Sequence, residues 1–171
     1  GQQEIVESIV AGHNTLAILP TGAGKSLCYQ FPALISPRFS IVISPLIALM
    51  KDQVDTLNKN ETRAAYINSS MESYEFDTVY NRIRAGEIKI LYVSPERLGI
   101  ITFADTIKEL KPDYLFVDEA HCISEWGHNF RPDYRRIRKF CDYIGIAKIA
   151  AFTASATPEV AADILNQLGI K

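Results

Sequence analysis

Residues 15–26 read TLAILPTGAGKS, an apolar run followed by a glycine-rich segment with a lysine and a serine. The apolar run 15–19 predicts a β-strand, and the apolar spacing over 25–34 predicts a helix. A glycine-rich loop between a strand and a helix is typical of phosphate binding, because its backbone N–H groups and the helix N-terminus surround an anion. In such a loop Lys25 would reach the β- and γ-phosphates of a nucleotide, and the Ser26 hydroxyl would bind Mg²⁺.

This predicted phosphate-binding loop departs from the strict G-x-x-x-x-G-K-[ST] pattern at one position, where Leu19 stands in place of the first glycine. The alternative is a glycine-rich turn that carries Gly-Lys-Ser by chance. Against it, strand, loop and helix follow one another in the order that phosphate binding requires. The residues predicted to bind the phosphates are Thr21, Gly22, Ala23, Gly24, Lys25 and Ser26.

Outward from this loop, short apolar runs alternate with amphipathic stretches. Strands are predicted at 15–19, 40–44, 64–67, 89–93, 114–118 and 149–153, and helices over 5–10, 25–34, 45–57, 70–84, 103–110, 131–143 and 158–168, with Ser70 as a helix cap. Because parallel strands need long crossover connections, the alternation predicts an α/β fold, a doubly wound, mostly parallel sheet of about six strands flanked by helices. Ligands of such sheets bind beyond the carboxyl ends of the strands.

A second motif, Asp118-Glu119-Ala120-His121, follows the fifth predicted strand. Two acids at the end of an apolar strand are costly without a partner, and Mg²⁺ would be such a partner. Asp118 is the predicted Mg²⁺ ligand, and Glu119 is predicted to orient or deprotonate an attacking water. The alternative is a surface acid pair that complements a helix N-terminus. Together with the phosphate-binding loop, the motif predicts hydrolysis of a nucleoside triphosphate.

Composition narrows the class of protein. Hydrophobic residues make up 47% and charged residues 22% of the 171 residues, which are globular values and predict one domain over 1–171. The longest apolar runs are too short for a membrane span, so we expect no membrane partner. Three widely spaced cysteines without a CxxC pair favour a reducing, intracellular compartment. A net charge of −2 argues against nonspecific coating of nucleic acid but allows a local basic groove.

Residues 122–134 read CISEWGHNFRPDY and resemble, nearly residue for residue, the aromatic-rich loop of RecQ-family DNA helicases. The combination of Pro-Thr-Gly-x-Gly-Lys-Ser with Asp-Glu-Ala-His is similar to superfamily 2 helicases in general. Other stretches that agree with the RecQ family are 1–5, 44–54, 91–98 and 152–157. The resemblance covers essentially the whole chain and implies the first, N-terminal RecA-like domain of a two-domain motor. Since the chain starts at Gly1 without Met, we expect it to be part of a longer helicase.

The resemblance also implies residue roles that the motifs alone do not give. Gln2 would recognise the adenine, and His121 would act in catalysis by coupling the nucleotide site to the nucleic-acid site. Ser155 and Thr157 would transmit the state of hydrolysis. The family more often has Thr-Ala-Thr-Ala where residues 153–157 read TASAT, so the pattern departs in detail there.

Cofactors and partners follow from the same resemblance. It implies ATP with Mg²⁺, single-stranded or partly duplex DNA, and a second RecA-like domain of the same parent chain that carries an arginine finger. Movement along DNA would run 3′→5′. We expect the domain alone to be monomeric and to hydrolyse little ATP. Its location would be the cytoplasm and nucleoid of a bacterium or the nucleus of a eukaryote.

Cations and aromatic rings are interleaved in and after the aromatic-rich loop, a combination that binds unpaired DNA because cations neutralise phosphates and rings stack on bases. The residues predicted to contact nucleic acid are Trp126, His128, Phe130, Arg131, Asn68, Ser69 and Arg97. For Arg136, Arg138 and Lys139 the alternative is the solvated face of an amphipathic helix. For 68–70 and 95–97 it is ordinary helix capping, and His128 is open between a loop scaffold and a base contact.

Three other functions fit parts of the sequence. A DEAH-type RNA helicase would share the nucleotide motifs, but the aromatic-rich loop argues against it. A nonhydrolysing, nucleotide-gated module that binds nucleic acid would not need Lys25, Asp118 and Glu119 together. A metabolic P-loop kinase would need a small-substrate pocket and a lid, for which the sequence gives no signal.

Overall fold

The computed structural model describes residues 1–20, 24–45, 47–59, 63–68 and 70–170, with Ile47 described by its backbone alone. These residues form a six-stranded parallel sheet in the order β1-β6-β5-β2-β4-β3. The strands are β1 (Thr15–Ile18), β2 (Ser40–Ile43), β3 (Ala64–Ile67), β4 (Ile90–Val93), β5 (Tyr114–Val117) and β6 (Lys148–Thr153). The helices are α1 (Gln2–Val10), α2 (Lys25–Ile35), α3 (Ile47–Lys59), α4 (Ser73–Arg84), α5 (Ile101–Leu110), α6 (Ile137–Ile144) and α7 (Pro158–Leu168).

Helices cover both faces of the sheet, which explains why most strand positions are apolar. In β2, Ile41 and Ile43 belong to the core shared with α4 to α7, whereas Val42 belongs to the core shared with α1 to α3. Since successive side chains point to opposite faces, a strand buried on both sides needs an apolar residue at every position. The predicted doubly wound α/β fold is confirmed.

Two of the predicted elements are wrong in detail. The stretch 131–143 is not one helix, because a 3₁₀ turn over Pro132–Arg136 precedes α6. Arg131 is extended, as is usual for a residue directly before proline, so no helix runs through position 131. Ser70 does not cap α4, since the helix begins at Ser73 with Glu72 as its N-cap.

The amino ends of the strands are held together by the buried carboxylate of Asp113, which directly precedes β5. Ser36 Oγ donates to its Oδ2 at 2.6 Å, and Lys148 Nζ and Arg38 Nη2 lie 3.1 and 3.4 Å from its Oδ1. Burial by itself would raise the pKa of Asp113, but the hydrogen bonds from Ser36 and Lys148 and the nearby positive charges outweigh it and lower the pKa.

In the part of the chain that the structure describes, no helix is long and apolar enough to cross a lipid bilayer.

We expect Asp113→Asn to lower the free energy of unfolding at neutral pH by about 1–3 kcal/mol, because buried donors lose a charged acceptor. The pKa of Asp113 is lower in the folded than in the unfolded state, so its stabilisation is present above the unfolded pKa of about 3.9 and is lost as the pH falls toward the folded pKa. Urea unfolding at about pH 7 and about pH 3 measures both effects. Asp55→Asn on the exposed side of α3 is the control, and equal stability of the two variants at neutral pH would contradict the assignment.

Candidate nucleotide and nucleic-acid site

Three charged side chains meet at the carboxyl edge of the sheet. Lys25 is the first residue of α2, and Asp118 and Glu119 follow directly after β5. Lys25 Nζ lies 3.0 Å from Asp118 Oδ1 and 3.0 Å from Glu119 Oε1. Because β6 lies between β1 and β5, these contacts join the ends of two strands that are not neighbours. The structure thus brings together the two motifs that were predicted to share one site.

Burial and charge act in opposite directions on this triad of Lys25, Asp118 and Glu119. Burial raises the pKa of Asp118, and the ammonium of Lys25 offsets this only in part, so the pKa stays above its ordinary value. Burial by itself would lower the pKa of Lys25, but the charges and hydrogen bonds of both acids outweigh it and raise the pKa. Lys25 therefore stays protonated and screens two carboxyl groups that would otherwise repel each other.

The turn after β5 fixes the positions of the two acids. Glu119 has a φ of 51°, in the left-handed region that is uncommon for residues other than glycine. Its backbone N–H donates to Asp118 Oδ1 at 2.9 Å. The hydroxyl of the fully buried Tyr134 donates to the Asp118 carbonyl at 2.8 Å. The end of the aromatic-rich loop is therefore bonded directly to the turn that carries the acids.

His121 connects the acids to β6. Its Nδ1 lies 2.9 Å from Thr153 Oγ1 and 3.6 Å from Glu119 Oε2. The Thr153 hydroxyl donates its one proton to the Ser155 carbonyl at 3.1 Å, so the hydrogen in the contact with His121 must belong to Nδ1. Burial lowers the pKa of His121 and outweighs the opposite effect of Glu119, which favours a neutral imidazole with Nε2 as an acceptor.

A cavity of about 630 Å³ opens beside these residues, and Lys25, Ser26, Asp118, Glu119 and His121 all line it. The side chain of Gln2, the first residue of α1, lies against Gly24 at the start of α2. A methyl group added at Gly24 would be only 2.0 Å from Gln2 Nε2. Gly24 itself has a φ of 74°, a conformation that favours glycine. Thr21, Gly22 and Ala23 lie outside the described residues, so their phosphate contacts stay predictions.

The aromatic-rich loop presents its rings next to this cavity. Trp126 is 79% exposed, so it is not a core residue. The ring of His128 stacks on that of His121, with 4.6 Å between ring centres and 17° between planes. The guanidinium of Arg135 lies 5.3 Å from the centre of the Phe130 ring. Arg131 is exposed, and its backbone N–H donates to the Cys122 carbonyl at 2.8 Å.

The other residues predicted to contact nucleic acid lie in the turns after β3 and β4. The Arg97 guanidinium lies 4.4 Å from the centre of the Phe76 ring and is half-buried. Asn68 is buried, and its Oδ1 accepts a hydrogen bond from the backbone N–H of Ser70. Ser69 lies outside the described residues. Contacts of these side chains with nucleic acid stay predictions.

Tyr134 and Thr153 are the two linking residues that sequence reasoning did not assign to the site. In the sequence, Tyr134 is the aromatic residue that ends the loop 122–134, and Thr153 is the first hydroxyl residue of 153–157. These positions were the only indications of their roles. Ser155 is exposed and contributes its carbonyl to the His121–Thr153 link. Thr157 Oγ1 accepts a hydrogen bond from the backbone at the start of α7 and caps that helix. Coupling roles for Ser155 and Thr157 stay predictions.

We expect Lys25→Met to destabilise the chain by roughly 1–3 kcal/mol at neutral pH, because two neighbouring carboxyl groups lose their cation. Lys25 offsets part of the rise that burial causes in the pKa of Asp118, so without Lys25 this folded pKa lies further above the unfolded value. The loss of stability is therefore small at about pH 4 and grows as the pH rises through the folded pKa of Asp118. Thermal unfolding between about pH 4 and 8 measures this slope, with the exposed Lys59→Met as control. A Lys25→Met curve parallel to that of the control would contradict the electrostatic interpretation.

Comparison with known proteins gives the same picture at the level of sequence. The profile of the family described as DEAD/DEAH box helicase matches residues 1–164. The protein named ATP-dependent DNA helicase RecQ from Pasteurella multocida is 44% identical over 171 residues, and its namesake from Bacillus subtilis is 47% identical over 173 residues. Both alignments cover 100% of this chain, but the chain spans only 27% and 29% of the length of those relatives.

Solved structures agree on the fold. The Pyrococcus furiosus Hef helicase domain superposes with a TM-score of 0.77 at 21% identity, over 99% of this chain and 36% of that chain. The DUF1998 helicase MrfA bound to DNA and AMPPNP gives a TM-score of 0.73 at 20% identity, over 96% of this chain and 25% of that one. These similarities concern the fold alone, and the family rests on the profile match over most of the sequence. The chain belongs to the DEAD/DEAH box helicase family.

Proposed function

We propose that this chain is the ATP-binding motor domain of a RecQ-type, ATP-dependent DNA helicase. The observation that carries the proposal is the contact of Lys25 with both Asp118 and Glu119 in a cavity bordered by the aromatic-rich loop. The residues of nucleotide hydrolysis and a candidate surface for unpaired bases are thus neighbours. Hydrolysis of ATP would drive translocation on single-stranded DNA and unwinding of the duplex, and the 3′→5′ direction rests on the resemblance to the RecQ family.

In the proposed site, ATP binds with its phosphates at the start of α2. Lys25 would exchange its carboxylate contacts for the β- and γ-phosphates, with the backbone of 21–24 around them. The Gln2 amide, which lies against Gly24, would contact the adenine. Since Lys25 forms the ion pair with Glu119, phosphate binding to Lys25 would release Glu119 when the substrate is present.

The residues present fit a magnesium ion. Ser26 and Asp118 line the same cavity and offer a hydroxyl and a carboxylate oxygen, the donors that Mg²⁺ prefers. Ser26 and Asp118 would hold Mg²⁺ together with phosphate oxygens of the nucleotide. Among the described residues no group of three or more His, Cys, Asp or Glu could hold a metal ion. When bound, the ion neutralises charge on the phosphates.

Glu119 would act on the attacking water. Its carboxylate lies between Lys25 and His121, at 3.0 and 3.6 Å. Glu119 would accept the proton of that water, and His121, whose ring is held by the contact of Nδ1 with Thr153 Oγ1, would orient the Glu119 carboxylate. His128 of the aromatic-rich loop stacks on His121. A DNA base that binds at Trp126 or Phe130 would therefore shift His121 and change the surroundings of Glu119. Ser155 and Thr157 would pass the state of hydrolysis to a second RecA-like domain that supplies an arginine finger.

DNA is preferred over RNA as the partner because relatives that match the whole chain are named DNA helicases. A DEAH-type RNA helicase domain is the alternative within the family. A nonhydrolysing, nucleotide-gated binding module is the alternative outside it, and the intact triad argues against that function. An intracellular location follows from DNA as the partner.

We expect Glu119→Gln to bind ATP about as tightly as the natural sequence but to hydrolyse it at least ~100-fold more slowly, because a general base contributes about 10²–10⁴-fold. Since this domain alone is expected to turn over slowly, hydrolysis is measured in a single turnover with excess protein. The exposed Glu125→Gln in the aromatic-rich loop is the control. Equal hydrolysis by Glu119→Gln and the control would exclude Glu119 as the base.

Trp126 fluorescence tests the partner, since Trp126 is the only tryptophan. We expect oligo-dT to change the emission in a saturable way that weakens with salt, and oligo-U to act more weakly, because bases stack on the exposed indole and cations release counterions. Titrations run with and without a Mg²⁺-bound ATP analogue. A stronger response to oligo-U would favour the RNA helicase, and no response to either polymer would remove nucleic acid from this loop.

A further inference from the structure

A second cationic surface lies beside the aromatic-rich loop, in a groove between α6 and α7. The groove has a volume of about 380 Å³. Three cations, two amides and one carboxylate line it, namely Arg135, Arg138, Lys139, Asn166, Gln167 and Asp142. None of the six lining side chains is apolar, which sets this groove apart from a site for an apolar ligand.

Backbone carbonyls, not carboxylates, accept the hydrogen bonds of the two arginines of this groove. Arg135 Nε donates to the Ile123 carbonyl at 2.8 Å, and Arg138 Nη1 donates to the Asn166 carbonyl at 3.4 Å. Within the described part of the chain, neither of these arginines nor Lys139 forms an ion pair with a carboxylate. Backbone carbonyls orient the guanidinium groups but leave their full charges, so the groove keeps a positive potential.

The positive charge of the groove is a local feature, because the chain as a whole has a negative net charge. The net charge of the 171 residues is −2, yet residues 131–139 read RPDYRRIRK and hold five cations and one acid. A local cluster of one sign in a groove attracts ions of the opposite sign even when the protein as a whole does not. All three cations that line the groove are exposed.

The groove is continuous with the aromatic-rich loop. Arg135 lines the groove, while its guanidinium lies 5.3 Å from the Phe130 ring and its Nε is bonded to the loop residue Ile123. A strand whose bases contact Phe130 would therefore have its neighbouring phosphates close to Arg135. From there the cations of α6 continue along the groove.

We propose that the phosphate backbone of a DNA strand continues from the aromatic-rich loop into the groove between α6 and α7. Arg135, Arg138 and Lys139 contact consecutive stretches of phosphates there, and the amides of Asn166 and Gln167 donate to phosphate or sugar oxygens. Such contacts position a strand without reading its sequence. This inference rests on the proposed function and extends its DNA site from a loop to a path.

An acidic protein segment is the other class of ligand that a cationic groove attracts. DNA is favoured by two observations. The lining offers no apolar side chain for the hydrophobic anchors that protein partners use. The groove also joins a loop whose exposed tryptophan suits unpaired bases.

The test compares Arg138→Gln/Lys139→Gln with the control Arg82→Gln/Arg84→Gln, which removes two cations from the last turn of α4. Labelled oligo-dT of about 6 and about 20 nucleotides is titrated by fluorescence anisotropy at several salt concentrations. For the long oligonucleotide we expect the groove variant to lose about tenfold in affinity and its slope of log K against log salt to fall by about 1.4, since each single-strand phosphate contact contributes about 0.7. The short oligonucleotide should bind unchanged, because the loop alone holds it.

Each other outcome overturns the inference. If the groove variant matches the control with the long oligonucleotide, DNA does not enter the groove, while a retained Trp126 response keeps the proposed function. If both lengths lose affinity equally, the cations act as a general field and not as a path. Binding of an oligoglutamate peptide that the groove variant loses, with DNA binding intact, would assign the groove to an acidic protein. If the natural sequence binds neither oligonucleotide, the proposed function fails together with the inference.

Discussion

The structure depends on one electrostatic constraint at the carboxyl edge of the sheet, where two acids at the end of a buried strand need a cation. Lys25 is that cation, and it reaches Asp118 and Glu119 from the other side of β6. The contact joins the start of α2, which carries Lys25, to the left-handed turn that carries Glu119. In the proposed function a nucleotide would compete with the acids for the same ammonium, so that substrate binding would free Glu119 from its ion pair.

The two ends of the sheet use buried acids in opposite ways. Asp113 at the amino end accepts from Ser36 and faces two cations, and its pKa is lowered. Asp118 at the carboxyl end faces a cavity, and its pKa is raised. The first carboxylate is fully satisfied within the protein and can only stabilise it. The second has one cation, Lys25, and a backbone N–H as partners and lines a cavity, so a ligand in that cavity could contact it directly.

Sequence alone predicted the sheet and the pairing of the two motifs, because alternation along the chain and residues after strand ends are local properties. It could not predict the contact of Thr153 with His121, which depends on β5 and β6 being neighbours, or that of Tyr134 with Asp118, which depends on how the segment after β5 folds back. The one-helix prediction for 131–143 failed because Arg131, directly before Pro132, is extended, and a 3₁₀ turn precedes α6. The groove between α6 and α7 was also out of reach, because its two walls lie about one strand–helix unit apart in sequence.

Because β6 lies between β1 and β5, it sets the distance between the carboxyl ends of these two strands. Parallel strands lie about 4.8 Å apart, so one intervening strand sets the two strand ends roughly 9–10 Å apart. The Lys25 side chain, at the start of α2, spans this separation to reach the acids after β5. The separation of the two strand ends is a whole number of strand spacings, and substitution of side chains cannot adjust it gradually.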